Sequence, residues 1–325
     1  MVSYVIKYVL YSLSITALFF CSVPIHAEDN YQNFSDDSII LSFSKNLNKK
    51  LLFQSQKKLK NSEGNERYLY IPFSDNGYLI FDLKLNIISE FSTSSNNYYI
   101  DNNTDVYYLG ALSYFVKNNK NYVNIQNKDD VVLSDDYKSA EKVIDENIKN
   151  KLNQKNKLSL VNDSQYISGS LPNYSYNPDG ICGTTSAAML LKWYDKYVNS
   201  NYVPSNLENN QTSFIEYLRS YVDGSVPGTV TTDVYSGIIS YCSSRGISHP
   251  GGYSTSDIPS YIVGRVSTYG TPYCLNLNSV PFGERHWVTG YGYTSSNGTV
   301  FAIVNDGHGH TGVSINSVYS TGIVW

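Results

Sequence analysis

An α+β fold is predicted for this chain of 325 residues by three features of its residue pattern. The second half shows helical periodicity first and strand alternation afterwards, and segregated helices and antiparallel strands imply α+β rather than alternating α/β. The first half, past its N-terminal apolar run, alternates apolar and polar residues over strand lengths and then ends on a helix-like stretch. Charge divides the chain at the same place. Of 24 Lys and Arg and 28 Asp and Glu, 37 lie in residues 1–165 and 15 in residues 166–325. The expected organisation is an N-terminal leader over 1–27, a small α+β domain over 28–150, a linker over 151–165 and a second domain over 166–325.

The leader is read from Lys7 and the apolar run VLYSLSITALFFCSV, followed by PIHA. A positive start, a short apolar middle and a small residue at Ala27 mark a secretory signal peptide cleaved after Ala27. The apolar core is shorter than the roughly 20 residues of a spanning helix; a retained anchor is the alternative. Bulky Phe19 and Phe20 before Cys21 weigh against a lipid-modified cysteine. No later segment is long and apolar enough to span a bilayer. The expectation is a secreted, extracellular protein without stable membrane association after signal removal. A formal net charge of −4 gives no electrostatic case for nucleic acid, which calls for a clustered basic face.

In the first half, RYLYIPF, GYLIFDL and NIISEFS read as strands. The SDNG group at 74–77 separates the first two as a hairpin turn. VYYLGALSYFVK is apolar without a decided type, and KSAEKVIDENIK reads as a helix. The polar, Lys-rich run that follows reads as an exposed linker, where proteases cut. No catalytic groups gather in this half.

In the second half, Ala187, Leu190, Leu191, Tyr194 and Val198 share one helical face. Phe214, Ile215, Leu218 and Val222 share another, with Ser213 and Glu216 spaced as a capping box. Val234, Ile238, Ile239 and Cys242 form a third face, with Gly246 as a stop. A fourth helix is expected over 256–270. The segments TPYCLNLN, HWVTGYGY and TVFAIVND then read as strands.

Past the leader, three cysteines remain: Cys182, Cys242 and Cys274. An odd number in an exported chain leaves at least one thiol free or paired outside the molecule. Whether Cys242 and Cys274 bridge or stay as buried thiols is open at this stage. Cys182 falls where the stretch NPDGICGTTSAAMLLKWYDKY turns from loop to helix. Unpaired N–H groups and the positive end of the helix dipole stabilise a thiolate there, and the thiolate is the nucleophile. Gly180 and Gly183 are expected to leave room for a substrate backbone. A buried structural thiol is the competing reading.

A base for that thiol is sought in His286, which opens the strand HWVTGYGY, and its orienting acid in Asp306, which closes TVFAIVND. A hairpin centred near Ser296 sets these two residues face to face. Directly opposed residues have Cβ atoms about 5 Å apart, which lets the carboxylate fix the imidazole tautomer. Taken singly, His286 reads as a polar strand end and Asp306 as a turn residue. The backbone N–H of Cys182 is one oxyanion donor, and the side-chain amide of Asn177 is the preferred second. NPDG is also a good turn on its own.

On these motifs the second half resembles a papain-like cysteine peptidase, closest to the bacterial family related to bacteriocin-processing (family 39) peptidases. The resemblance is carried by LPNYSYNPDGICGTTSAAMLLKWYD, ERHWVTGYGY and IVNDGHG, over roughly residues 168–310. It implies a peptidase domain with a helical half and an antiparallel sheet, with Cys182 as nucleophile, His286 as base and Asp306 as orienting residue. It also implies that the small α+β domain is a pro-domain, a partner of the peptidase domain, and that the protein is made as a precursor. The family often has Gln six residues before the cysteine; here that position is Tyr176, and neighbouring Asn177 stands in.

The expected reaction is peptide-bond hydrolysis of a protein or peptide substrate without a cofactor. Two alternatives keep the same residues: a cell-wall peptide amidase or endopeptidase, and a non-catalytic surface binding protein on a degenerate peptidase fold. Asp306, His308 and His310 with His286 also resemble a zinc-type set. The Gly-interrupted spacing and the lack of a second cluster favour no metal.

Overall fold

The structure, a computed structural model, describes residues 38–97, 99–100, 105–119, 121–125, 130–131, 135–153, 162–223, 229–278 and 286–325. The expected signal peptide, its cleavage point and Cys21 lie outside the described residues. Residues 38–325 form one compact unit, a mixed α/β body of six α-helices and one large sheet among the described residues. Among those residues no helix is long and apolar enough to cross a membrane.

The first half opens with α1 (Ser38–Asn46), followed by β1 (Lys57–Lys60), β2 (Glu66–Pro72), β3 (Tyr78–Asp82) and β4 (Ile87–Ser92). The three segments read as strands are β2, β3 and β4, paired antiparallel in sequence order. The SDNG turn lies between β2 and β3, with Asn76 and Gly77 both at positive φ. VYYLGALSYFVK resolves into β5 (Val106–Tyr108) and β6 (Tyr114–Asn118), joined by a turn and paired antiparallel. Short β7 (Asn121–Asn124) and β8 (Asp130–Val131) extend that edge. The helix read from KSAEKVIDENIK is α2 (Asp135–Asn153), which takes in the first three residues expected to be linker.

The second half begins with β9 (Asp163–Tyr166) and the helices α3 (Cys182–Tyr197), α4 (Gln211–Val222) and α5 (Thr231–Ser244). All ten residues from Cys182 to Leu191 are buried, so this part of the helix is enclosed on every side. Asn210 caps α4, its side chain accepting from the N–H of Ser213 at 3.0 Å. The helix therefore starts a turn before the Ser213 capping box that the sequence suggests. The fourth expected helix is a short α6 (Ile258–Val263) that loosens into a π-turn over Gly264–Thr268.

The remaining strands are β10 (Tyr253–Ser254), β11 (Tyr273–Leu277), β12 (His286–Ser296), β13 (Thr299–Asn305), β14 (Thr311–Asn316) and β15 (Ser320–Val324). They run in the order β10-β15-β11-β12-β13-β14, and β9 pairs with β12 beyond the end of β11. The sheet does not stop at β14. It continues as β4-β3-β2-β1-β5-β6-β7-β8, so both halves share one 15-stranded sheet. The joint is the antiparallel pairing of Val313 with Ser92, Ser314 with Phe91 and Ile315 with Glu90. Sequence alternation reports which residues a strand buries but not which distant edge it meets, so the sequence carries no sign of this joint.

Candidate active site

Cys182 is the first residue of α3 and is 8% exposed. Its thiol faces the carbonyl oxygen of Gly180 at 3.8 Å. A single 3-10 turn, Pro178–Gly180, leads into the helix, with Asn177 at its start. Ile181 precedes α3 without a side-chain cap. The first turn therefore directs uncapped N–H groups and the positive dipole end toward the sulfur. Gly183 does not open space for a substrate as expected. A Cβ there would lie 2.3 Å from Thr229 Oγ1, so its bare backbone lets α3 pack against the Thr229 segment.

Three hydroxyls fix the helix start. Thr184 Oγ1 donates to Asp223 Oδ2 at 2.6 Å, and Thr185 Oγ1 donates to the carbonyl of Tyr176 at 2.9 Å. Ser186 Oγ donates to the carbonyl of Val288 and also lies 2.9 Å from Thr289 Oγ1. Ser186 is one helical turn beyond Cys182, on the same helix face. Val288 is two residues beyond His286, on the same sheet face. The Ser186–Val288 bond therefore ties the start of α3 to the start of β12.

His286 is partly buried, and its ring stacks on that of His308, with centroids 5.6 Å apart and planes 18° from parallel. It hydrogen-bonds to the main chain of Asp306. Burial and the neighbouring His308 push its pKa down to about 4, against the opposing pull of Asp306. Burial lowers the pKa of His308 as well. Both rings are therefore neutral at pH 7. The amide Nδ2 of Asn177 stands 3.4 Å from His308 Nε2. An amide nitrogen only donates, so that pairing leaves the His308 proton on Nδ1.

Asp306, immediately after β13, is fully buried. Oδ1 accepts from the backbone N–H groups of His308 and His310 at 2.8 and 3.0 Å. Oδ2 accepts from the Tyr99 hydroxyl at 3.0 Å and meets His310 Nδ1 at 2.8 Å. The Tyr99 hydroxyl and His310 Nδ1 are themselves 2.6 Å apart. Burial alone would raise the proton affinity of this carboxyl. The His310 side chain, the neighbouring His308 and His310 imidazoles and the backbone donors outweigh it and hold the pKa below the usual carboxylate value.

The face-to-face pairing of His286 with Asp306 is corrected by the observed register. The hairpin turn is the pair Asn297-Gly298, both at positive φ, so Ser296 pairs with Thr299. A bulge at Tyr291 then slips the pairing to Gly290 with Val304 and Thr289 with Asn305. Beyond the last pair of that register, the His286 ring stacks on that of His308. Asp306 meets His286 through its main chain, while its carboxylate is directed to His310 and Tyr99.

The loop before the cysteine lies against the 306–310 turn. Asn173 Nδ2 donates to the carbonyl of Gly309 at 2.6 Å, and Asn177 contributes its His308 contact. Among the described residues Asn177 Oδ1 is buried with no hydrogen-bond partner. Tyr176, at the position where Gln is frequent in the family, directs its hydroxyl to Glu216 Oε1 at 2.6 Å. Among the described residues Cys242 and Cys274 form no disulfide with each other, which resolves the open question of a bridge between them. Burial pushes Cys242 up to about 11 and Cys274 up to about 12. Both are inert thiols inside the core. Among the described residues no group of three or more His, Cys, Asp or Glu is arranged to hold a metal ion.

The low pKa of His286 has a consequence for stability. In the unfolded chain the imidazole takes up its proton around pH 6.5, but the folded site resists it down to about pH 4. Above pH 6.5 both states are neutral and the group costs nothing. As pH falls from 6.5 to 4 the unfolded state binds the proton first, so stability drops across that window by up to about 3 kcal/mol. Urea unfolding from pH 7 to pH 4 is expected to show this decline, and His286→Gln is expected to flatten it. An equal decline in the variant would assign it to other groups.

No curated protein matches the chain. Residues 170–321 match the Peptidase_C39 like family, an interval that contains Cys182, Asn177, His286 and Asp306. The second half of this chain thus resembles the papain-like cysteine peptidases of family 39.

Proposed function

We propose that the protein is a secreted cysteine peptidase that hydrolyses peptide bonds in a protein or peptide substrate. What supports this reading is the Ser186–Val288 tie, which joins the helix that opens on Cys182 to the strand that opens on His286. Cys182 gives its proton to His286, and the thiolate attacks the scissile carbonyl. The oxyanion is held by the Cys182 N–H and by the Asn177 amide, whose Nδ2 has a second N–H besides the one turned to His308. His286 returns the proton to the leaving amine, and the amine departs as the thioester forms. A water molecule then gives a proton to His286 while its oxygen attacks the thioester, releasing the acid and the free thiol. Asp306 keeps the ring in place through its main chain, and no cofactor or metal takes part.

In this proposal residues 28–150 are a pro-domain and 151–165 the segment that joins it to the peptidase domain, 166–325. The protein is exported through residues 1–27 and acts outside the cell. Thiol labelling tests the reading. Iodoacetamide is expected to alkylate Cys182 at pH 7 at least tenfold faster than free cysteine, while Cys242 and Cys274 stay unlabelled, and casein is expected to be cut. Labelling no faster than free cysteine would favour a non-catalytic binding protein. Cleavage of purified cell-wall peptides but not of casein would move the substrate to the wall.

A further inference from the structure

We infer that the first half is a permanent wall of the site: it stays docked after any cut between the halves, and its Tyr99 positions Asp306. This deepens the proposed function, and only the role given to Tyr99 rests on it. The docking is a matter of geometry alone.

A blocking segment meant to leave would be expected to lie across the cleft with few other ties. The first half instead completes the sheet. Its β4 covers β14, a strand that would otherwise present a row of unpaired backbone groups. Behind that joint, Phe43 and Phe91 of the first half pack with Phe301 of the second. The three ring centroids lie 5.0, 5.4 and 5.2 Å apart, and each ring is at most 4% exposed. Buried polar groups cross the joint too. Ser89 Oγ meets the Tyr319 hydroxyl at 2.8 Å, and Asn316 Nδ2 donates to the carbonyl of Ile88 at 2.8 Å. Lys151, at the end of α2, donates to the carbonyls of Val318 and Ser320. Separation would strand these buried partners and expose three aromatic rings, costs that add to the loss of the sheet pairing.

One hydrogen-bonded chain runs from the core of the first half to the candidate site. Glu90, fully buried on β4, accepts from the hydroxyls of Tyr78, Tyr108 and Tyr114 and from the Leu112 N–H. Asn97 Nδ2 donates to the Tyr114 hydroxyl at 2.7 Å, and Asn97 Oδ1 accepts from the Tyr99 N–H at 2.8 Å. The Tyr99 ring packs on that of Tyr114, and its hydroxyl reaches Asp306 and His310. Tyr99 is thus held from behind and supplies one of the donors on the carboxylate whose main chain meets His286. It is a positioning residue that acts through Asp306.

The test uses the full chain with a specific-protease site inserted between Asn156 and Lys157. After complete cutting, seen on a denaturing gel, the two fragments are expected to co-elute in native gel filtration at the mass of the uncut protein. Cys182 alkylation is expected to stay within about twofold of the uncut rate. Fragments that separate in native buffer overturn the docking. In the uncut chain, Tyr99→Phe removes one donor from the Asp306 carboxylate and raises its proton affinity. The acid limb of Cys182 alkylation is then expected to move to higher pH by about 0.5 unit or more. An unmoved limb overturns the role of Tyr99. Both readouts remain available if no peptide substrate is ever cut, so failure of the peptidase reading is told apart from failure of this one.

Discussion

Cys182→Ala is expected to lower kcat/KM on a peptide substrate by at least about 10⁴-fold, and His286→Ala by a similar factor. The two groups act as one unit, because the imidazole has no proton to take when the thiol is gone. The double variant is therefore expected to be no worse than either single one, a non-additivity that separates a joint chemical step from two structural losses. Asp306→Ala is expected to be milder in kcat, since the group it offers His286 is a main-chain one that survives the substitution. It strips the acceptor from three donors in the 306–310 turn and from the Tyr99 hydroxyl, so part of its effect is expected in stability. Kinetics of purified variants, each checked for a cooperative unfolding transition, decide the matter. Undiminished cleavage by Cys182→Ala would end the peptidase reading, and self-processing of the precursor should fail in the same two variants.

The helix start that holds Cys182 was legible because two local signals coincide there: a Pro-Gly turn and the onset of a continuous apolar face. The strands opening at His286 and closing before Asp306 were legible from alternation. Their mutual register was not. The sequence TSSNG contains the two-residue turn Asn297-Gly298, whose positive φ values match the twist of a hairpin, and giving that pair its due weight corrects the centre. The bulge at Tyr291 leaves no comparable trace, since an extra residue in one strand is visible only when the partner strand is known. Tyr99 lies 207 residues from the carboxylate it meets, and one tyrosine among 31 carries no local mark of that contact. From sequence His310 reads as a metal ligand or a loop residue, and its bond to Asp306 depends on the turn between them. The charge shift near residue 165 marks a change of composition, yet the hydrogen-bonded sheet runs across it through β4 and β14.

Arg67→Leu is expected to cost about 3–5 kcal/mol of stability, with a fall in Tm on the order of 10 °C. The guanidinium sits on β2, 5% exposed, among three carboxylates. It binds Asp82 in a fork, Nε to Oδ1 at 3.2 Å and Nη2 to Oδ2 at 2.6 Å. It reaches Asp145 at 2.6 and 3.1 Å and Glu141 at 2.6 Å, both on α2. Asp82 is fully buried, and Asp145 is nearly so. The penalty of the variant is the desolvated charge left on these two carboxylates rather than the net worth of the pairs. Lys84 holds Asp145 from a more exposed position at 2.6 Å but lends Asp82 only a backbone N–H. Arg67→Lys keeps the charge and loses the fork, since an ammonium cannot serve both oxygens of Asp82 and also reach α2. It is therefore expected to recover less than half of the loss. Glu141→Gln, at the more exposed end of the cluster, is expected to cost about 1 kcal/mol. Because α2 also carries Lys151 to the carbonyls of Val318 and Ser320, loosening α2 weakens a tie between the halves. Urea unfolding followed by tryptophan fluorescence reports this directly, since Trp193 and Trp287 both lie in the second half. A single shifted transition means that the cluster stabilises both halves as one cooperative body. An unchanged tryptophan transition, with loss confined to far-ultraviolet helix signal, would show that the cluster serves the first half alone.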